Sequence, residues 1–396
     1  MPERAQREHW GSRIGFVLAA AGSAIGLGNI WKFPFITGLY GGAAFVLVYL
    51  VCIVIVGFPV MLIEFAMGRK TQRNPVGAYA AIAGKKSLWI WAGGVGVLAG
   101  FVILSYYSVV AGWCISYIVK SLGGGFGQLQ DPAQAGALFE AFAGTPSQAL
   151  VAHALFMLLC IVVVAQGIKS GIETASRTLM PTLIVILLLL VLRGLTLEGS
   201  GGGIEFLFKA DFSKITGDSI LVALGHAFFT LSLGMGAMIT YGSYLSKKDD
   251  LVSSAIMVVI LDTVIALLAG VAIFTAVFAE GLAPDAGPGL IFHVLPVVFG
   301  HMPGGTLFAF LFFLLLSIAA LTSGISLLEV VIAYMVDEKG WPRRKATWTF
   351  GAIIFLLGVP SALAFGPWSD IKIGSWNFFD FFDYVSFKYM LPIGGF

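Results

Sequence analysis

Residues 22–29 read GSAIGLGN and interrupt an otherwise apolar run near 12–37. Residues 230–236, TLSLGMG, do the same in the middle of a run near 219–244. Each glycine disfavours continuous helix by about 1 kcal/mol relative to alanine, so both runs are expected to unwind where their glycines and hydroxyls gather. A bilayer tolerates such irregular backbone only where it is buried in protein or lines a cavity. Interrupted helices at matching places in two halves of a chain point to an inverted repeat with a binding site at the membrane midplane. Glycines that merely allow close helix packing would look similar in either run alone; the matched positions and neighbouring polar groups favour the site.

The rest of the chain agrees with a bilayer setting. Of its 396 residues, 58% are hydrophobic and 11% charged, and the mean hydropathy is +0.95, far from the balance of soluble domains. About 20 apolar residues cross a hydrocarbon core as helix. About ten spans are expected, near 12–37, 42–68, 88–121, 148–167, 174–195, 219–244, 252–280, 305–335, 346–366 and 376–396. They make one domain, 1–396, with a first five-helix repeat over 12–195 and a second over 219–396.

Basic residues cluster before the first span (Arg4, Arg7, Arg13), after the second (Arg69, Lys70, Arg73, Lys85, Lys86) and near Lys169, Lys247, Lys248, Arg343, Arg344 and Lys345. The positive-inside rule makes these ends, the amino terminus included, cytoplasmic in a cell membrane. The 122–147 connection, with Asp131 and Glu140 but no lysine or arginine, belongs outside. A net charge of +2 in scattered clusters gives no stripe for nucleic acid. Cys52, Cys114 and Cys160 lie inside apolar runs without zinc-ligand spacing and read as packing residues. Met1 to Trp10 has no apolar core, so no cleaved signal peptide is expected.

The run REHWGSRIGFVLAAAGSAIGLGNIWKFP at 7–34 strongly resembles the first helix of the neurotransmitter:sodium symporter family. The resemblance continues through GFPVMLIEFAMGR at 57–69, SYY at 105–107, FFTLSLGMGAMITYGSY at 228–244 and ALTSGIS at 320–326, nearly the whole chain. It implies an all-α membrane protein: a 5+5 inverted-repeat bundle of broken-helix transporters whose first and sixth helices are unwound at the midplane. The implied activity is sodium-coupled symport of amino acids by alternating access, with no enzymatic step.

The resemblance also carries residue roles. It puts the substrate carboxylate at the main chain near Leu27 and Gly28 with the Tyr107 hydroxyl, and the ammonium at carbonyls of Ala24, Phe229 and Ser232. Gly26 stands where monoamine-transporting relatives carry an aspartate, which leaves room for a substrate that brings its own carboxylate. The side-chain pocket maps to Ile103, Phe229, Ser232, Met235, Ser323 and Leu327, mostly apolar, so aliphatic or aromatic amino acids fit best. Alone, Tyr107 would more often be a packed aromatic than a ligand.

Two sodium sites are implied. One combines Ala24, Asn29, Thr230, Asp262 and the substrate carboxylate; the other uses carbonyls of Gly22, Ile25 and Ala319 with the hydroxyls of Thr322 and Ser323. On any other membrane helix these hydroxyls would bond back to the preceding turn. Asp262 supplies a carboxylate where chloride-assisted relatives have a neutral asparagine, so no chloride requirement is expected; Ala266, one turn later, adds no acid. Glu64 and Asp262 sit inside apolar spans, where a charge needs a partner, and Glu64 maps to a brace of the unwound sixth helix. Arg7, Asp337 and Trp10 map to an inner gate, and Lys32 and Asp383 to an outer one. The family commonly has arginine at the Lys32 position, and lysine lacks its two-pronged donor. Gly171 and Pro181 match a family element at which the inner end of the fifth helix unwinds.

The competing readings are an intramembrane serine protease using Ser323 with His226, and a channel or amino-acid receptor that binds without pumping. The sequence ends at Phe396, within the expected tenth helix after LPIGG, where relatives usually continue further, so that helix is expected to be short.

Overall fold

The computed structural model describes residues 7–284 and 290–395; Arg4 and Phe396, named above, lie outside them. The first expected span is two helices, α1 (Arg13–Ala24) and α2 (Gly28–Leu39), bent by 47° at the break between them. Next come α3 (Ala43–Thr71), the short α4 (Pro75–Ala83), α5 (Ile90–Leu122), α6 (Pro132–Ala143), α7 (Pro146–Ala165) and α8 (Ile168–Leu195). The second half holds α9 (Gly201–Phe208), α10 (Gly217–Thr230), α11 (Ala237–Gly242), α12 (Leu251–Ala279), α13 (Leu295–His301), α14 (Gly305–Lys339) and α15 (Arg343–Leu363). A final α16 runs on from Phe378–Val385 through Ser386–Met390 to Leu391–Gly395.

Seven described helices are each long and apolar enough to cross a bilayer, and the bent pair α1–α2 makes an eighth. The sixth and tenth expected spans fall short for separate reasons. The sixth is divided into pieces of 14 and 6 residues; the last carries Asp380, Asp383 and Lys388 within its short length. The connections contain α4, α6, α9 and α13, helices too short or polar to stand out in hydropathy.

Local chemistry sets these boundaries. The Ser12 side chain accepts the Gly15 N–H at 3.0 Å to start α1, and Thr216 and Ser219 form a reciprocal cap on α10. Outward faces present Val54, Ile55, Leu192 and Leu356, each at least 60% exposed, as lipid-facing helices require. Inside, α14 packs along α5, and α7 approaches α5 so closely that a Cβ on Gly112 would lie 2.7 Å from the Ala152 carbonyl carbon.

The two breaks are where the core turns polar. Between α10 and α11 the chain passes through positive φ at Ser232 (54°), Gly234 (75°) and Gly236 (74°). Glycine adopts this region without strain, whereas Ser232 does so at a cost. Its hydroxyl offsets part of that cost by donating to the Ser23 carbonyl at 2.8 Å, tying one break to the other.

Candidate functional site

A cavity forms where the breaks face each other. It is lined by the eleven residues expected around a substrate, Ala24, Gly26, Leu27, Gly28, Ile103, Tyr107, Phe229, Ser232, Met235, Ser323 and Leu327, together with Ser23. Its open volume is about 20 Å³, room for roughly one water, so its walls must part to admit a side chain. The Leu27 N–H, just before α2, donates to the Tyr107 hydroxyl at 3.3 Å. A Cβ on Gly26 would lie 2.4 Å from the Ser323 hydroxyl and 3.1 Å from that of Tyr107. Any side chain at residue 26 therefore occupies the space over these polar groups.

Ser23 was not among the expected residues. Its hydroxyl donates to Ser326 at 2.7 Å and lies 3.1 Å from that of Ser232. The signal was present in the sequence, since GSAIG places a hydroxyl beside the first break.

Beside the cavity, three oxygen-bearing side chains from three helices converge on Asp262. The Asn29 amide donates to its carboxylate at 2.7 Å, the Thr230 hydroxyl at 3.0 Å and the Tyr49 hydroxyl at 3.4 Å. All four residues are buried. Ala24 ends α1 nearby, and the Asn29 side-chain oxygen accepts the Gly26 N–H at 3.1 Å. Hard oxygen donors packed this tightly around one carboxylate suit a small hard cation. Tyr49 also escaped the sequence reading, because nothing in its apolar surroundings singles it out.

The other proposed set is more divided. The Ser323 hydroxyl crosses to α1, 2.9 Å from the Ser23 carbonyl and 3.4 Å from that of Gly22. Thr322 instead donates back along its own helix, to Ala319 at 3.0 Å and Ile318 at 3.2 Å. A hydroxyl that donates backward keeps its lone pairs for a cation. Ile25 caps α1, its N–H bonded to Ala21 at 2.7 Å.

At the end of the bundle where Arg7 meets Asp337, the amino-terminal segment is held by several helices. Arg7 pairs with Asp337 at 2.6 Å and donates to the Ser243 carbonyl at 3.2 Å, and the Trp10 indole donates to the Tyr241 carbonyl at 3.0 Å. Groups not foreseen complete the clamp. Glu173 accepts the Gly11 N–H at 2.6 Å; Glu8 accepts the Ile168 N–H at 2.6 Å and lies 3.1 Å from Arg343. Arg343 grips the buried Glu329 with two donors at 2.7 and 2.8 Å, and Tyr244 adds a third at 2.6 Å. Glu329 had the signal that marked Glu64 and Asp262, an acid inside an apolar span, and was overlooked. Gly171 lies in the widened first turn of α8, Ile168–Glu173, and Pro181 lies farther along the helix. Glu64 reaches the second break from α3 and accepts the Gly234 N–H at 2.8 Å.

The end where Lys32 meets Asp383 is looser. Lys32 and Asp383 are 3.9 Å apart, with the ammonium 3.6 Å from the Phe387 ring centroid and 5.0 Å from that of Phe229. Above the Tyr107 and Phe229 walls opens a vestibule of about 290 Å³, into which Phe35, Trp113 and His293 also face. Burial lowers the pKa of His293 against the upward pull of Glu140, which favours its neutral form at pH 7. The end at Arg7 is thus closed by a network, and the end at Lys32 by one long ion pair and aromatic rings.

Neither ring nitrogen of His226 has a hydrogen-bond partner among the described residues, so Ser323 and His226 are not bonded to each other. The serine faces the α1 carbonyls, while His226 packs on Phe33 and Tyr49 with centroids 5.9 and 5.3 Å away.

Comparisons with known proteins agree with this architecture. The profile of the sodium:neurotransmitter symporter family matches residues 7–127 and 142–386. The chain is 45% identical over 385 residues to the sodium-dependent transporter YhdH of Bacillus subtilis (strain 168), covering 97% of this chain and 85% of that protein. It is 38% identical over 391 residues to a sodium-dependent transporter of Haemophilus influenzae, covering 96% and 85%. The crystal structure of MhsT in complex with L-phenylalanine superposes with a TM-score of 0.91 at 47% identity, covering 98% of this chain and 88% of that one. The chain belongs to the sodium:neurotransmitter symporter family and is a multi-pass, sodium-dependent membrane transporter, not an enzyme.

Proposed function

We propose that this transporter is a symporter of hydrophobic amino acids that binds two sodium ions and needs no chloride. The observation that carries the reading is the cavity between the breaks, whose apolar walls, Ile103, Phe229, Met235 and Leu327, face a polar floor of main chain, Ser23 and Tyr107. N–H groups before and at the start of α2, at the positive end of a half-helix dipole, receive the substrate carboxylate. Carbonyls at Ala24, Phe229 and Ser232 receive the ammonium. The missing side chain at Gly26 keeps that floor clear. MhsT, similar in fold and sequence, was crystallised with an apolar aromatic amino acid, which supports the substrate class.

Coupling follows from shared oxygens. A sodium ion among Ala24, Asn29, Thr230 and Asp262 touches the substrate carboxylate, so each ligand strengthens the other by the same free energy. A second ion, between Gly22, Ile25 and Ala319 carbonyls and the hydroxyls of Thr322 and Ser323, ties α1 to α14. Its release loosens α1, the helix that the inner clamp holds. With the amino terminus on the cytoplasmic side, opening the clamp delivers substrate inward, while the Lys32–Asp383 pair closes over the vestibule.

The test is uptake of labelled leucine or tryptophan into proteoliposomes under an inward sodium gradient. Accumulation is expected with sodium, and none with potassium in its place. Competition should follow apolar character, and displacement by glutamate or dopamine better than by leucine refutes the pocket assignment. Binding without accumulation in sealed vesicles supports the receptor reading instead.

A further inference from the structure

Away from the transport path, a cleft of about 440 Å³ opens sideways between α5, α14 and α15 at the end of the bundle where Arg7 meets Asp337. That volume falls within the roughly 300–1,000 Å³ of ligand pockets. Its walls are Val97 and Phe101 of α5, Val331 and Tyr334 of α14 and Phe350 of α15, with Trp91 also lining it. Gly94 lines it too, and a Cβ there would meet no atom within 4 Å. A missing side chain therefore makes this a cleft rather than a flat lipid-facing surface.

The rim is cationic. The Lys339 ammonium lies 5.8 Å from the Tyr334 ring centroid. That of Lys345 lies 4.7 Å from the Trp341 ring, which in turn packs on Phe350 at 5.9 Å. Lys85 and Lys86 stand exposed just before α5 begins, followed by Trp89 and Trp91 at 60% and 74% exposure. Among the described residues none of these four lysines pairs with a carboxylate, whereas Lys209 and Arg177 do. Exposed tryptophans beside lysines mark a membrane interface, where unpaired ammonium groups attract anionic lipid.

We propose that this cleft is a binding site for one anionic phospholipid, with an acyl chain over Gly94 and the phosphate among Lys86, Lys339 and Lys345. Charge complementarity selects this occupant over zwitterionic lipid. It also disfavours a second copy of the chain, which would bring the same lysines.

The experiment is native mass spectrometry of the whole protein, purified and exposed to equal amounts of phosphatidylglycerol and phosphatidylcholine with the same acyl chains. One phosphatidylglycerol is expected to stay bound in preference. Replacing Lys339 or Lys345 by alanine should reduce that preference about fivefold per lysine. Gly94→Trp, which fills the cleft, should reduce retention of either lipid. Lys247→Ala with Lys248→Ala removes two charges at the same end but away from the cleft, and should leave the preference within about twofold. Equal loss in that control, retention unaffected by Gly94→Trp, or a dimer that replaces the bound lipid each overturns the proposal. Sodium-dependent uptake by each variant confirms that it is folded.

Discussion

Asp262 is the carboxylate on which the hydrogen bonds beside the cavity converge. It is fully buried and accepts hydrogen bonds from Asn29, Thr230 and Tyr49, so its carboxylate can balance a sodium ion at close range where the interior screens poorly. Uptake is expected to be equal in chloride and in gluconate. Asp262→Asn keeps the shape, removes the negative charge, and should make uptake depend on chloride. Strong chloride dependence of the unmodified protein refutes this assignment. Met235 lines the cavity; on the proposed assignment Met235→Phe fills space that an aromatic substrate needs, so uptake of tryptophan should fall about tenfold relative to leucine, as measured by competing the two labels.

At the scale of elements, the second break rests on its brace. Glu64 accepts the Gly234 N–H at 2.8 Å inside the bundle, and removing the acceptor leaves a buried donor unpaired at a cost of about 1–3 kcal/mol. Glu64→Ala should lower the melting temperature and abolish uptake, whereas Glu64→Gln keeps a carbonyl oxygen in place and should retain both. A proton-carrying role for Glu64 predicts the opposite, loss of transport in the glutamine variant with stability intact.

The breaks themselves were legible because glycine density and hydroxyls stand out against apolar runs, and the long spans because hydropathy alone reports them. The four helices in the connections were not. Pro75–Ala83, Pro132–Ala143, Gly201–Phe208 and Leu295–His301 are 7 to 12 residues long, and tertiary packing, not local propensity, decides helices that short. The clamp around Arg7 was half legible: Arg7 opens the recognisable 7–34 stretch and the family resemblance pairs it with Asp337, but the reach of Glu8 to Ile168 spans 160 residues and no spacing rule reports it. Tyr49 was hidden by its apolar neighbours, whereas the Ser23 hydroxyl stands in the sequence beside the first break.

For the whole molecule, the decisive quantity is how many sodium ions move with each substrate. A zwitterion carries no net charge, so each coupled sodium contributes the full membrane potential. At 100 mV that is about 2.3 kcal/mol per ion, and a tenfold sodium gradient adds about 1.4 kcal/mol. One ion then supports roughly a 500-fold substrate gradient, while two ions together support more than about 10⁵-fold. The two oxygen sets around Asp262 and around Ser323 predict the second figure. Measuring so large a ratio directly is impractical, but its dependence on sodium is not. With the potential clamped by a potassium gradient and ionophore, the substrate ratio at zero net flux should rise as the square of the sodium ratio. A first-power dependence in protein that retains sodium-driven uptake removes one of the two sites from the coupling, and Thr322→Ala and Asp262→Asn then identify which site remains.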